Sequence, residues 1–155
     1  MPSVIGACFD GRLAYIYIWL SKKHRVVYVG QTNGTEGTLG RAAQHVTIRG
    51  TFRQRFEEVV GLQLEAIDDL ILLSFPLPFE PEFTGIESSF REGVEFLVQQ
   101  GLLDARSNLT PMYRVISTVR PTAQASLKRV QTCADDIVKQ FVVAYATLTP
   151  LPPIY

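Results

Sequence analysis

Four side chains suited to acid–base or anion chemistry lie near one another in the N-terminal third of the chain. Tyr17 and Tyr28 stand in two short aromatic runs, and Arg41 and His45 follow soon after them. A tyrosine or a histidine within hydrogen-bond reach of a water molecule can take its proton. Arginine stays charged and presents paired donors, which suits the oxygens of a phosphate group. This set predicts proton transfer beside a bound phosphate, as in the cleavage of a phosphodiester bond.

The spacing of these residues allows them to meet. Arg41 and His45 are four positions apart, so on a helix they share one face and can converge on one ligand. Tyr15 and Tyr17 point to the same side of a strand. If the two aromatic runs pair as a hairpin, Tyr28 lies across from the Tyr17 region. We interpret Tyr15 as a packing residue, since aromatic side chains in strands usually pack.

The elements that must position these residues begin with a β-hairpin. Residues 13–20 and 25–29 are rich in aromatic and β-branched side chains, and residues 21–24 separate them. A helix is predicted from Thr38, with Thr38 as its N-cap, because apolar residues follow at helical spacing. A second short helix is predicted over 52–60.

The rest of the chain predicts a buried strand and two longer helices. The remaining elements are a strand at 68–75, a helix at 83–100, a short strand at 113–119 and a helix at 122–146. The tail 149–155 is proline-rich, and we expect it to be loosely held. The order of elements predicts an α+β fold with a small three-stranded, mainly antiparallel sheet flanked by helices. Residues 1–110 would form the core, and 111–155 a C-terminal helical extension packed on the same domain.

Composition sets wider limits. The chain has 155 residues, 46% of them hydrophobic, and a formal net charge of zero. It is long enough for one domain with a proper core, and its charge gives no global attraction to nucleic acid or membrane. Basic side chains concentrate between Arg12 and Arg55, which predicts a local basic face. Cys8 and Cys133 lack nearby metal-ligand partners, and no apolar run could span a bilayer, so we expect an intracellular protein.

The ordered motifs resemble the GIY-YIG nuclease family. Tyr15-Ile16-Tyr17 stands in place of Gly-Ile-Tyr, and Tyr28-Val29-Gly30 in place of Tyr-Ile-Gly. Gln31-Thr32 is also typical of that site. Arg41 and His45 match the helical arginine of the family and the histidine that accompanies it in some branches. The resemblance covers residues 12–109, and its main departure is the bulky Tyr15 where the family has glycine.

The resemblance also implies one metal-binding carboxylate and a late asparagine. Glu87, early in the helix predicted at 83–100, matches the glutamate, with Glu95 on the same helix as the runner-up. Asn108 matches the asparagine less well, because its loop is long. A lone carboxylate with water ligands suits Mg²⁺ or Mn²⁺, and the chain offers no closed zinc ligand set.

The implied activity is a metal-dependent endonuclease that hydrolyses phosphodiester bonds in DNA. Tyr17 and Tyr28 would position or deprotonate the attacking water, Arg41 would stabilise phosphate charge, and His45 would assist proton transfer. Glu87 would hold the metal ion. The predicted contacts to the DNA substrate are Lys22, Lys23, Arg25, Arg49 and Asn108.

Two other functions stay open on the sequence alone. The neutral net charge is compatible with a catalytically incomplete module of the same fold, which would bind nucleic acid or a protein partner within a larger assembly. A plain interaction domain is the other possibility, with the apolar C-terminal helix as a docking or dimer face. If the protein is a nuclease, the specificity for its DNA target would come from the C-terminal extension, from a homodimer or from a partner subunit.

Overall fold

A computed structural model describes residues 3–5 and 7–148, without the side chains of 3–5, and the predicted loose tail at 149–155 lies outside this part. The strands are β1 (Ser3–Ile5), β2 (Tyr15–Ser21), β3 (Val26–Thr32), β4 (Ile71–Pro76) and β5 (Arg114–Val115). The α-helices are α1 (Gly37–His45), α2 (Thr51–Val60), α3 (Pro81–Thr84), α4 (Ser89–Ala105) and α5 (Lys128–Thr147). Single 3₁₀ turns occur at Leu64–Ala66, Arg106–Asn108 and Ala123–Ser126.

The described strands form one mixed sheet in the order β1-β4-β2-β3-β5. The three inner strands β4, β2 and β3 are antiparallel, as predicted. The prediction of only three strands is wrong, because β1 pairs parallel to β4 and β5 pairs parallel to β3. These edge strands are three and two residues long. β1 is too short to show a recognisable alternation, whereas β5 lies inside the strand predicted at 113–119 and only its pairing with the sheet is not predicted. The α+β class is confirmed.

Each face of the sheet carries its own apolar cluster, because successive side chains of a strand point to opposite sides. On one face, residues such as Ile16, Ile18 and Val29 pack with α4 and α5. On the other face, Tyr17, Trp19 and Tyr28 pack against α1 and α2 in an aromatic cluster that includes Phe52 and Phe56. The catalytic candidates of the hairpin therefore all belong to the second face.

The predicted start and end of α4 are both wrong. Pro81 opens the separate short helix α3, and Gly85 follows it with extended backbone, so α4 begins only at Ser89. Gly101 does not end α4. A Cβ at Gly101 would lie 2.6 Å from Cγ2 of Val138, so this glycine lets α4 and α5 approach closely. The helix continues to Ala105.

The C-terminal extension packs on the core, mainly through α5. Apolar residues of α5 at helical spacing, from Val130 to Tyr145, are buried and join the apolar cluster that contains Ile18 of β2. The helix begins at Lys128 and not at 122 as predicted, and Leu127 precedes it and is exposed. None of the helices within 3–5 and 7–148 is long and apolar enough to cross a membrane.

Candidate functional site

Tyr17 is fixed at the centre of the sheet by a glycine across the hairpin. The register pairs Tyr17 with Gly30 of β3 and with Ser74 of β4. The Tyr17 ring crosses over Gly30, where a Cβ would lie 2.2 Å from the Tyr17 hydroxyl oxygen. Only glycine leaves room for this crossing. The glycine of Tyr28-Val29-Gly30 therefore has a direct structural purpose: it lets the hydroxyl of Tyr17 reach across the strand towards α1.

His45 receives that hydroxyl in the last turn of α1. The Tyr17 Oη lies 2.8 Å from His45 Nε2, and the imidazole is 5% exposed. On its other side, Nδ1 accepts the backbone N–H of Phe52 at 3.4 Å. Because Nδ1 is an acceptor, the neutral ring carries its proton on Nε2 and donates it to Tyr17 Oη. Burial, assisted by the charge of Arg41, lowers the pKa of His45 to about 4, so the ring is neutral at physiological pH.

Tyr28 completes an aromatic enclosure around the histidine. Its ring is edge-on to His45 with centroids 5.8 Å apart, and Tyr17 meets His45 in a similar way at 5.5 Å. Tyr28 pairs with Trp19 across the hairpin, so it is a diagonal neighbour of Tyr17, as predicted. Its side chain is 8% exposed. The two tyrosines therefore hold the imidazole between them.

Glu95 and Arg41 bring opposite charges to the same place. Burial raises the pKa of Tyr17, with Tyr28 adding to the rise, while Arg41 lowers it and Glu95 raises it further. The pKa of Tyr28 is also raised, by burial first and then by Glu95, while Arg41 opposes the rise. Both charged groups therefore lie near both tyrosines. The structure gathers Tyr17, Tyr28, Arg41, His45 and Glu95 into one site, four of them predicted catalytic residues and the fifth the runner-up carboxylate.

Glu87, the predicted metal ligand, is not part of this group. It lies in the turn before α4, where its exposed side chain lines a shallow depression with Pro81 and Ile86. The prediction that Glu87 occupies an early turn of the helix is wrong, because α4 starts at Ser89. Glu95 lies eight positions later, about two helical turns further along. With the true helix start, Glu95 rather than Glu87 faces the tyrosines.

Asn108 also lies away from the site. It is exposed in the 3₁₀ turn that follows α4. The helix carries the chain about 15 Å from Glu95 to Ala105 before this turn begins. The structure therefore does not bring Asn108 to the tyrosines.

The predicted DNA contacts at the hairpin tip are distant from Tyr17 and its hydrogen bond to His45. The strand runs about 13 Å from Tyr17 to Ser21, beyond which these residues lie. The prediction that Lys22 contacts DNA is wrong, because its side chain is buried. Lys22 is 7% exposed, donates a hydrogen bond to the carbonyl of Leu148 and lies over the Tyr145 ring. Lys23 pairs with Asp68.

Arg25 and Arg49 keep the exposure that a DNA contact requires. Arg25 lies at the hairpin turn with a positive φ of 56°, and Arg49 lies between α1 and α2. Much of the remaining basic segment is neutralised, since Arg12 pairs with Asp10 and Arg53 pairs with two glutamates. The basic face is therefore narrower than the sequence predicts.

Glu95 fits a divalent cation held by one protein carboxylate. Its side chain is half-buried, and in the described part of the chain it makes no hydrogen bond or ion pair. Burial, with a smaller contribution from Glu92, raises its pKa to about 7, and Arg41 opposes this. A bound cation would favour the charged form. Within 3–5 and 7–148 no cluster of three histidine, cysteine or acidic side chains forms a metal cage. The donor set thus suits Mg²⁺ or Mn²⁺ with retained water ligands.

Comparisons of the chain with protein-family models, with curated proteins and with solved structures found no match. The resemblance to GIY-YIG nucleases therefore rests on the ordered motifs of the sequence alone.

Proposed function

We propose that the chain is a metal-dependent endonuclease that hydrolyses phosphodiester bonds in DNA through a GIY-YIG-like site. One observation carries the proposal: the 2.8 Å contact between Tyr17 Oη and His45 Nε2, formed beside Arg41 and Glu95. The four groups come from β2, α1 and α4, far apart in sequence. Folding alone does not need an ionisable pair of this kind at the end of a buried tyrosine, since buried polar groups are costly unless they are satisfied.

Tyr17 is assigned to orient the attacking water with its hydroxyl group. His45 donates its Nε2 hydrogen to Tyr17 Oη, and the Arg41 guanidinium adds positive charge near the same oxygen. Both interactions favour the phenolate, but burial of the ring outweighs them and raises the pKa of Tyr17, so the hydroxyl stays protonated at physiological pH. Tyr28 holds the imidazole in its orientation from the other side.

Arg41 is free to bind the phosphate. Its side chain is exposed and donates a hydrogen bond to Gln44, one turn along the same helix, at 2.9 Å, and it also lowers the pKa of Tyr17 by charge and hydrogen bonding. Exchanging the contact with Gln44 for a phosphate oxygen costs little, because Gln44 is also exposed. A bidentate guanidinium contact would stabilise the charge that develops on the phosphorane.

Glu95 would hold the Mg²⁺ or Mn²⁺ ion. When bound, the ion supplies positive charge for the phosphorane and for the leaving oxygen. Glu95 itself contributes a carboxylate that no described group occupies, on a helix whose position is set by close packing against α5. A ligand on such a rigid element is held within a narrow range of positions.

Plasmid nicking in Mg²⁺ or Mn²⁺ tests the proposal with two matched variants. We expect wild type and Glu87→Gln to nick at similar rates, and Glu95→Gln to be about 100-fold slower, as for loss of a main electrostatic group. DNA binding should persist in Glu95→Gln. Absence of nicking by wild type, or equal rates in all three proteins, would contradict the proposal. Salt-sensitive DNA binding by a wild type that does not cleave would favour the catalytically incomplete module instead.

A further inference from the structure

A polar pocket of about 350 Å³ lies beside the site, and sequence reasoning did not predict it. It is formed by the loop between β3 and α1, by the exposed side of α1 and by Arg91 of α4. Its size falls in the range of small-ligand sites. Arg41, the proposed phosphate ligand, forms part of its wall, and so does Gln31, which directly follows Gly30. The pocket therefore continues from the proposed site.

Arg91 is an unusual residue for the wall of a pocket. It is 2% exposed, yet no ion pair within the described ranges includes it. Its hydrogen bonds go to neutral groups: Nε donates to Gln31 Oε1 at 3.0 Å, and Nη1 donates to the carbonyls of Phe83, Gly85 and Glu87. The third nitrogen, Nη2, donates to no described group. Burial lowers the pKa of Arg91, and the Glu92 carboxylate, which forms no ion pair with it, offsets this only in part.

The structural role of Arg91 explains only part of this arrangement. Its carbonyl contacts tie the turn before α4 to β3, which accounts for Nε and Nη1. A neutral donor could make the same contacts without burying a charge. Nη2 makes none of these contacts, and it is the part of the guanidinium that an anion in the pocket could bind.

The charges around the pocket favour an anion. Two guanidinium groups, Arg41 and Arg91, line it, and the carboxylate in its wall belongs to Glu36. That carboxylate folds back onto α1: its Oε2 lies 2.7 Å from the place where a Cβ of Gly40 would be. The remaining wall is mostly neutral and polar, with Asn33, Thr35 and Gln44 among its residues.

We propose that this pocket binds a phosphate group through the Arg91 guanidinium, with Arg41 adding positive charge at the pocket wall. A guanidinium fork matches phosphate oxygens and supplies paired donors. Arg91 lies one helical turn before Glu95, on the same face of α4. If the proposed function holds, the phosphate is the neighbour of the cleaved one along the DNA strand. Phosphate binding itself does not depend on cleavage.

The test measures binding without any metal. Inorganic phosphate is titrated into ¹⁵N-labelled protein in EDTA, and amide and guanidinium signals are followed by NMR. We expect saturable shifts confined to the loop 31–37, Arg41 and Arg91. Gln44→Glu places a carboxylate in the exposed wall without disturbing a buried contact, and should weaken binding about tenfold through charge repulsion. Ala43→Glu adds the same charge to an exposed position of α1 outside the wall, and should leave binding unchanged.

The variant Arg91→Gln tests the role of Arg91 in phosphate binding more directly. It keeps a donor for Gln31 but removes the charge, and circular dichroism checks that it folds. We expect phosphate shifts to be lost from the folded variant. If it does not fold, the comparison of Gln44→Glu with Ala43→Glu decides. No saturable shifts in the wild-type pocket, or equal weakening by both α1 variants, would overturn the proposal.

A thymidine dinucleotide identifies the source of the phosphate. If it binds about tenfold more tightly than inorganic phosphate at the same residues, the pocket receives a nucleic-acid strand, since contacts beyond one phosphate then add affinity. Equal or weaker binding assigns the pocket to free phosphate. Because EDTA is present throughout, phosphate binding in a protein that fails to nick DNA would refute the proposed function and leave this inference standing.

Discussion

Replacing Glu95 with glutamine should make the protein more stable at alkaline pH. Glu95 is half-buried and has no partner among the described residues, and burial raises its pKa from 4.5 to about 7. The folded state then binds this proton more tightly than the unfolded chain does. Stability therefore falls as the pH rises from 4.5 through 7, because the folded state must hold an unfavourable charge. Glutamine has nearly the same shape and carries no charge.

The size of the effect follows from the pKa. A rise from 4.5 to about 7 corresponds to about 3 kcal/mol against the charged form, at about 1.36 kcal/mol per pH unit. Solvent reaches part of the side chain and screens the charge, so we expect about 1–2 kcal/mol. For a domain of this size, 1 kcal/mol moves the melting temperature by about 2–4 °C. Glu95→Gln should therefore melt about 2–8 °C higher than wild type at pH 8.5, and at the same temperature at pH 4.5.

Thermal unfolding followed by circular dichroism between pH 4.5 and 8.5 measures this difference. Glu58→Gln is the matched control, since Glu58 is an exposed carboxylate of α2 and should show no such pH-dependent gain. Mn²⁺ should raise the melting temperature of wild type and leave Glu95→Gln unchanged, because a ligand that binds the folded state stabilises it. A destabilised Glu95→Gln at pH 8.5, or a gain that is the same at both pH values, would refute the reasoning.

Three further predictions concern Tyr17 and its neighbours. Gly30→Ala should lower the free energy of unfolding by about 1–3 kcal/mol in urea, because its Cβ would overlap the Tyr17 ring, whereas Gly34→Ala, with 3.3 Å to its nearest neighbour, should cost less. Tyr17→Phe should slow plasmid nicking by about 100-fold. It should also lower the free energy of unfolding in urea by about 1–3 kcal/mol, since buried His45 loses its hydrogen-bond acceptor. Unchanged nicking would exclude Tyr17 from the chemistry. His45 should titrate by NMR with a midpoint near 4. The free energy of unfolding should fall as the pH is lowered from 6.5 to 4, because the unfolded chain binds the proton more tightly. A midpoint near 6.5 would show that the ring is not buried.

Local signals explain what the sequence predicts correctly. The hairpin is predictable because its two strands are continuous runs of β-formers joined by a short turn. The meeting of Arg41 and His45 follows from helical spacing alone. Gly61 ends α2 in the left-handed conformation, as a glycine after a helical run indicates. Each of these features depends on neighbours within a few residues.

Tertiary contacts explain what the sequence does not predict. Lys22 is buried by Leu148 and Tyr145, more than a hundred positions away, and no local pattern announces such a contact. Glu87 is misplaced because the residues before Ser89 have helical character, while the extended backbone at Gly85 separates α3 from α4. The burial of Arg91 is not predictable from the sequence either, since its hydrogen-bond partners lie in the turn before α4 and in β3.

The position of the metal ion tests the central claim most directly. A crystal of the wild-type protein soaked in Mn²⁺ would locate the ion by its anomalous scattering. We predict a single strong peak within coordination distance of a carboxylate oxygen of Glu95, on the side of α4 that faces Tyr17, Tyr28 and Arg41. A peak on Glu87, a peak away from this side of α4, or none at saturating Mn²⁺ would contradict it.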